Sequence, residues 1–349
     1  MRSSYAKEDV IFLLKDITGL VKPQSTEERE KLIQSGKHYC EMLPIEYVPS
    51  QQYLEVYQEA LKNYAKPVAA AIGTLADKIV KTRGKHPVLV SLARAGTPIG
   101  ILLKRYLQWK YEIDVPHYSI SIIRGRGIDK NAMECLLERY EANSLLFVDG
   151  WIGKGTIQNT LKEALRDFPE VNPELAVVAD PAGVTELCGT HEDLLIPSSC
   201  LNSTVSGLVS RTFLRDDVIY RFDFHGAVYY EELKDSDLSY EFIHAIESEF
   251  QQNSQTENKS LSCYGIDEVR ELAEKFQVKD MNLIKPGIGE TTRVLLRRVP
   301  WKVLVSKESA ADPCLASIKQ LAKEKGVPVE YYPLKNYKAC GIIKELSDV

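Results

Sequence analysis

The sequence predicts an α/β protein built on a parallel sheet with helices on both faces, and three observations carry that expectation. Apolar strand-like runs at residues 87–92, 115–123, 145–149 and 175–180 take turns with helical stretches, the order expected of successive strand–helix–strand units. The loops after the first three runs are rich in small residues and lead into helices, so they gather at the carboxyl ends of the strands, where such sheets bind ligands. A polar stretch at 251–262 then separates this region from a shorter one with its own helices and strands.

Taken in order, residues 1–84 are expected as a helical extension packed on the core. It comprises a short amphipathic segment around 10–14, the Ser25-Thr26-Glu27-Glu28 capping box, and helices starting near Ser50 and at Pro67. Residues 85–250 hold the sheet, and 251–262, QQNSQTENKSLS, read as a linker. Residues 263–349 form a compact second unit: helices at 266–276, 291–298 and 315–325, and strands at 302–306 and 329–332.

Composition narrows the class. At 349 residues, 44% hydrophobic and 27% charged, the chain is long enough for two domains and belongs with ordinary globular proteins. No run approaches the roughly 20 apolar residues of a membrane span, and charge interrupts the N-terminal apolar run too early for a signal peptide, so a cytoplasmic protein without a membrane partner is expected. Seven cysteines form no CxxC pair, and their odd number fits a reducing compartment. The net charge of −5 argues against broad nucleic-acid coating, although residues 263–349 carry 15 basic and 12 acidic side chains.

The most informative passage is SLLFVDGWIGKGTI, residues 144–157. An apolar strand delivers Asp149 into a loop containing Gly150, Gly153 and Gly155, with Lys154 beside them and Thr156 opening a helix. Glycines let successive N–H groups turn inward, and the helix terminus adds partial positive charge, so the layout suits a phosphate. Asp149 is placed to accept from sugar hydroxyls or hold Mg²⁺. The passage is not a Walker A loop, because Gly155 stands where Ser or Thr would follow the lysine. A second anion-ready turn, Ala93-Arg94-Ala95-Gly96-Thr97, follows the first strand, and a third loop alternates Arg124 and Arg126 with glycines. An ordinary strand-to-helix turn is the plain alternative for the first loop and a solvated basic hairpin for the third.

These motifs, with HYSISIIRGRGID and the Ser/Thr-rich run at 196–212, resemble a bacterial stress-operon family of phosphoribosyltransferase-like proteins, also labelled StiP cysteine protease and linked to tellurite resistance. The resemblance implies a type I phosphoribosyltransferase-like fold. It further implies a Mg²⁺-dependent enzyme that uses PRPP and an unassigned small-molecule acceptor to make a nucleoside-like metabolite. PRPP would then lie on Ala93, Arg94, Ala95, Gly96, Thr97, Asp149, Gly150, Gly153, Lys154, Gly155 and Thr156, with Asp149 holding Mg²⁺ through PRPP. Arg124 and Arg126 would join Asp149 in catalysis by closing over the leaving pyrophosphate. Asp180, Cys200, Asn202, Ser203, Thr204, Ser206 and Arg211 would shape the acceptor pocket. Gly150 stands where the family usually places a second acid.

In the tail, KPGIGETTR at 285–293 resembles the motif of the Pelota-type RNA-binding domain. The implied contacts with structured RNA run through Gly287, Gly289, Glu290 and Arg293, supported by Arg297 and Arg298; Gly289 replaces the usual asparagine. A small module that only packs is the alternative. Two other functions stay open for the whole chain. A thiol hydrolase would draw on Cys200, Cys188 or Cys40 with His191, His225, His117 or His38 as base; a non-catalytic regulator would sense PRPP and bind RNA. Cys188-x-x-His191 could also form half of a zinc site completed by Cys200 and His225.

Overall fold

In the computed structural model, residues 1–253, 256, 261–309 and 311–343 are described. Residues 254, 255 and 257–260 of the expected linker, and the side chain of Arg297, lie outside that set. The main sheet runs Ile11–Phe12, His117–Ile123, Val88–Ala93, Leu145–Trp151, Leu175–Ala179, Cys188–Thr190, with every neighbouring pair parallel. Gly127–Ile128 adds a short antiparallel hairpin to His117–Ile123. A mixed α/β architecture with a parallel core sheet is therefore what the chain forms.

Side-chain alternation sorts each strand onto two cores. Leu89, Leu146, Val148, Ala176 and Val178 pack against helices Gln51–Arg83, Gly96–Tyr111 and Ser239–Glu247. Val90, Leu92, Ile120, Phe147 and Val177 face helices Lys130–Leu137 and Thr156–Ala164. From Val88–Ala93 the chain winds first to one side and then to the other, so the switch point lies between the tips of Val88–Ala93 and Leu145–Trp151. Those tips almost touch: a Cβ on Gly96 would stand 2.3 Å from the Val148 carbonyl oxygen.

Two N-terminal expectations need correction. Residues 10–14 are not helical, because Ile11–Phe12 extends the main sheet and Lys15–Asp16 pairs with Gly226–Ala227. A run as short as VIFLL has no period to choose helix over strand, and distant pairing decides. The helices expected at Ser50 and Pro67 are one helix, Gln51–Arg83, with Pro67 inside it. Its buried face, Tyr57, Ala60, Leu61, Tyr64, Val68 and onward, continues past the proline, so packing outweighs the lost backbone bond. The capping box forms as expected: Ser25 Oγ accepts from Glu28 N, and Glu28 Oε2 from Ser25 N.

The C-terminal part forms a four-stranded sheet ordered Ile284–Pro286, Ala339–Ile343, Pro300–Ser306, Val329–Tyr332, with helices Gly265–Phe276, Ile288–Arg297 and Pro313–Glu324. Its first two strands escaped the sequence reading. This unit packs on the main one: Ile288, Leu295, Val303 and Leu315 join the same buried cluster as Tyr64, Leu195 and Cys200.

Candidate active site at the strand tips

The two glycine-bearing turns are neighbours, yet their charged side chains are engaged in different places. Arg94 Nη1 donates to Glu46 Oε1 at 3.2 Å and to the Val209 carbonyl at 3.1 Å. Lys154 Nζ donates instead to the carbonyls of Met281 (2.5 Å) and Ile284 (3.1 Å) in the C-terminal unit. Burial beside Lys285 and Arg124 pushes Lys154 down to about 8. The Gly153 carbonyl accepts from Tyr337 Oη at 2.6 Å, and Gly155 caps helix Thr156–Ala164. The loop expected to cradle a phosphate is thus covered by protein.

The other expected contacts are also structural. Thr97 Oγ1 is buried against Ser119 Oγ at 2.8 Å, while Ala93, Ala95 and Gly96 form the tight turn at the strand tip. Asp149 accepts from Gly150 N at 2.7 Å, and burial raises it to about 7 against the pull of that hydrogen bond and of Arg293. Asp180 is fully buried and caps its own turn through the N–H groups of Val184 and Thr185.

The residues of the Ser/Thr-rich run hold one another and their neighbours. Glu46, which the sequence reading overlooked, is its hub: Oε2 accepts from Ser203 N at 3.1 Å and Ser203 Oγ at 3.2 Å, while Oε1 holds Arg94. Asn202 caps Thr204 and donates to the Tyr47 carbonyl, Ser206 Oγ meets local carbonyls, and Cys200 has no exposed surface. Arg211 stays accessible on the crevice wall. Desolvation and the guanidinium of Arg94 push it down to about 10, so it is still cationic at neutral pH.

Two Cys–His contacts occur near these tips. Beside the tip of His117–Ile123, Cys40 Sγ lies 3.0 Å from His38 Nδ1. Nδ1 also receives the Cys40 N–H, so it is the ring's acceptor nitrogen, and the thiol donates to the Leu214 carbonyl at 3.7 Å with Nδ1 beside it. The other face of the ring meets the 124–126 turn: His38 Nε2 would stand 3.5 Å from a Cβ on Gly125, and a hydrogen bond to the Arg124 backbone opposes the desolvation that lowers the imidazole. That turn grips the segment from both sides, with Arg124 N donating to Tyr39 Oη at 3.0 Å and Arg126 paired with Glu41 at 2.9 Å. Burial lifts the Cys40 thiol to about 11, with Arg126 pulling it down.

The second contact pairs Cys188 Sγ with His191, 3.6 Å from Nε2 and 3.7 Å from Nδ1. Nδ1–H donates to the Asp180 carbonyl at 2.9 Å. Cys188 has no exposed surface and is pushed up to about 12 by burial, with Asp180 and Glu186 adding to the rise. The other expected bases are elsewhere: His117 is buried between Ser91 Oγ and the Asp9 carbonyl, and His225 bonds Ser121 Oγ. Among the described residues, no three His, Cys, Asp or Glu side chains gather as a metal site, so the zinc set does not assemble there.

Comparison with known proteins decides between the open readings. Residues 3–247 match the family described as tellurite-like stress resistance cysteine protease StiP. The chain belongs to the StiP family. A curated relative from Acinetobacter baylyi, "Cysteine protease StiP", is 35% identical over 372 aligned positions, spanning 99% of this chain and 94% of that protein. Residues 263–345 match the PELOTA RNA binding domain. The expectation of a PRPP-using transferase is overturned by these StiP matches, which name a protease. Among the described residues, no helix is long and apolar enough to cross a membrane.

The motif that resembles the Pelota-type one has a definite place. Gly287 precedes helix Ile288–Arg297 with a φ of 95°, a backbone that favours glycine. Gly289 packs against Ser199, and Glu290 pairs with Arg293 at 3.2 Å. Arg293 lies over the Trp151 ring, 4.5 Å from its centroid. All four motif residues therefore face the main sheet's tips or their own helix.

Proposed function

We propose that the chain is a thiol hydrolase acting on peptide bonds, with Cys40 as nucleophile and His38 as general base, and that its C-terminal unit recognises structured RNA in the setting of a stress response. The observation that carries the assignment is the 3.0 Å Sγ–Nδ1 contact at a strand tip, with the imidazole's far side held by the backbone turn. The StiP family name supports the reaction class, and the PELOTA match supports the RNA partner.

In the resting chain the raised thiol and lowered imidazole keep both groups neutral. The thiol proton therefore moves to Nδ1 as Sγ attacks the carbonyl carbon, and the imidazolium returns it to the leaving amine as the peptide C–N bond breaks. Water then hydrolyses the thioester, releasing the carboxylate and restoring Cys40. Arg124 and Arg126 supply positive charge beside the nucleophile. We read the main sheet as phosphoribosyltransferase-like in architecture alone, on the strength of its switch point and strand-tip turns, and we read residues 263–349 as a separate domain docked on it.

Digestion of a denatured-protein peptide library, read by mass spectrometry, tests the assignment. Wild type, Cys188→Ala and Cys200→Ala should cleave, and Cys40→Ala should not. Undiminished cleavage by folded Cys40→Ala would refute it.

A further inference from the structure

The helix N-terminus in the PELOTA-matching unit already holds an anion, and that anion belongs to the chain itself. Asp193 Oδ1 and Oδ2 accept from Ile288 N at 3.0 and 3.1 Å, and Oδ2 also accepts from Lys338 N at 2.8 Å. A Cβ on Gly287 would stand 3.1 Å from Asp193 Oδ1, so the close approach depends on glycine. The first N–H groups of a ten-residue helix favour a carboxylate or a phosphate for the same reasons, unpaired donors and the positive end of the dipole. Around this contact, Arg293 donates to the Ser199 carbonyl and covers Trp151, Tyr337 holds the Gly153 carbonyl, and Lys154 reaches back to Met281 and Ile284. The motif that would meet RNA is thereby the face that closes on the strand tips.

We propose that Asp193 stands in for an RNA phosphate, so that RNA and the strand-tip crevice compete for one surface and RNA binding lifts the C-terminal unit off the crevice. The lid reaches the candidate nucleophile through a short series of contacts. Asn282 Oδ1 accepts from Arg124 Nη1 at 3.4 Å, the 124–126 turn holds Tyr39 and Glu41, and these flank Cys40, which is only 1% exposed. While that turn is held, Sγ is shielded, and peptides and labelling reagents reach it only as the turn opens. Removing the C-terminal unit frees that turn on one side and uncovers Trp151, Gly153 and Ser199, which line a small cavity under the lid with Asp193, Pro286, Gly287 and Gly289. Burial raises Asp193 to about 6 despite its three N–H donors, the condition of an acid kept in place by the closed interface.

The inference rests on the RNA-binding reading, and two measurements on the full chain keep the two apart. Fluorescence anisotropy with a labelled kink-turn hairpin compares wild type with Asp193→Asn, which keeps the side chain's shape but not its charge, and with Tyr337→Phe. Hydrogen exchange of the 287–291 amides reports the contact without RNA. Asp193→Asn should bind the hairpin at least ten times more tightly than wild type, exchange faster at Ile288, and show a raised basal rate of peptide cleavage; Tyr337→Phe should move the same way by a smaller factor. Equal RNA affinity in wild type and Asp193→Asn overturns the competition. Faster exchange with no RNA bound by either protein overturns the RNA-binding reading instead, and unchanged exchange overturns the latch itself.

Discussion

The two Cys–His contacts lie at opposite sides of one parallel sheet and differ in what surrounds them and in distance. Cys188 sits inside strand Cys188–Thr190, where Lys78 pulls its thiol down against Asp180 and Glu186, and its partner histidine is turned toward a backbone carbonyl. Cys40 sits on a short 3-10 turn, Tyr39–Glu41, where Arg126 pulls its thiol down against Glu41, and is clasped by the glycine-bearing 124–126 turn. Proximity of sulfur to imidazole is common to both. A nucleophile also needs an acceptor nitrogen close to its proton: His38 turns Nδ1 to Cys40 at 3.0 Å, whereas His191 commits Nδ1–H to the Asp180 carbonyl and leaves Nε2 3.6 Å from Cys188.

The largest effect expected from this difference is on turnover. His38→Ala should lower peptide cleavage by about 10²–10⁴-fold, the usual span for a lost general base. His191→Ala should leave the rate within about twofold under the same assay, because a residue outside the reacting groups removes no transition-state interaction. Next in size is stability: Cys188→Ser places a hydroxyl among apolar neighbours and should cost about 1–3 kcal/mol in denaturant unfolding, with cleavage by the folded fraction unchanged.

A smaller effect separates the thiols by pH. With its thiol raised to about 11, Cys40 in the resting chain should react with iodoacetamide at a rate that keeps climbing past pH 9, and His38→Ala should alter that profile while His191→Ala does not. The smallest concerns Asp149, on the strand tip between the two pairs. Its carboxyl ordinarily titrates near 3.8 and is raised to about 7 in the folded chain. Between those values the folded state holds a proton that the unfolded state has lost, so this group makes stability fall as pH rises through the window. Asp149→Asn removes the dependence, and the variant's Tm should gain on wild type between pH 4 and pH 7, a difference that differential scanning calorimetry measures.

Much of the fold was legible because strand–helix alternation is a local signal. The strands at 145–149 and 329–332 and the helix at 266–276 fall within a residue or two of the observed elements. Two-residue strands such as Ile11–Phe12 and the Ala339–Ile343 strand were not legible, since their pairing partners lie far along the chain. The strand-tip turns were read from their local pattern, which does not fix what their side chains face. A Gly-Lys-Gly-Thr turn looks the same whether its lysine faces a phosphate or two carbonyls of a docked unit, and only the tertiary contact of Lys154 with Met281 and Ile284 distinguishes them. Glu46 and the pairing of His38 with Cys40 were hidden likewise, although His-x-Cys is a spacing that lets a short turn bring the ring onto the sulfur.

The central claim is that Cys40 is the thiol that attacks substrate. Treating the full chain with an epoxysuccinyl peptide, an electrophile that reports nucleophilic thiols, and mapping the adduct by tandem mass spectrometry tests it most directly. The account predicts a single adduct on Cys40 that disappears in His38→Ala; an adduct on Cys188 or Cys200 with Cys40 unmodified would contradict it.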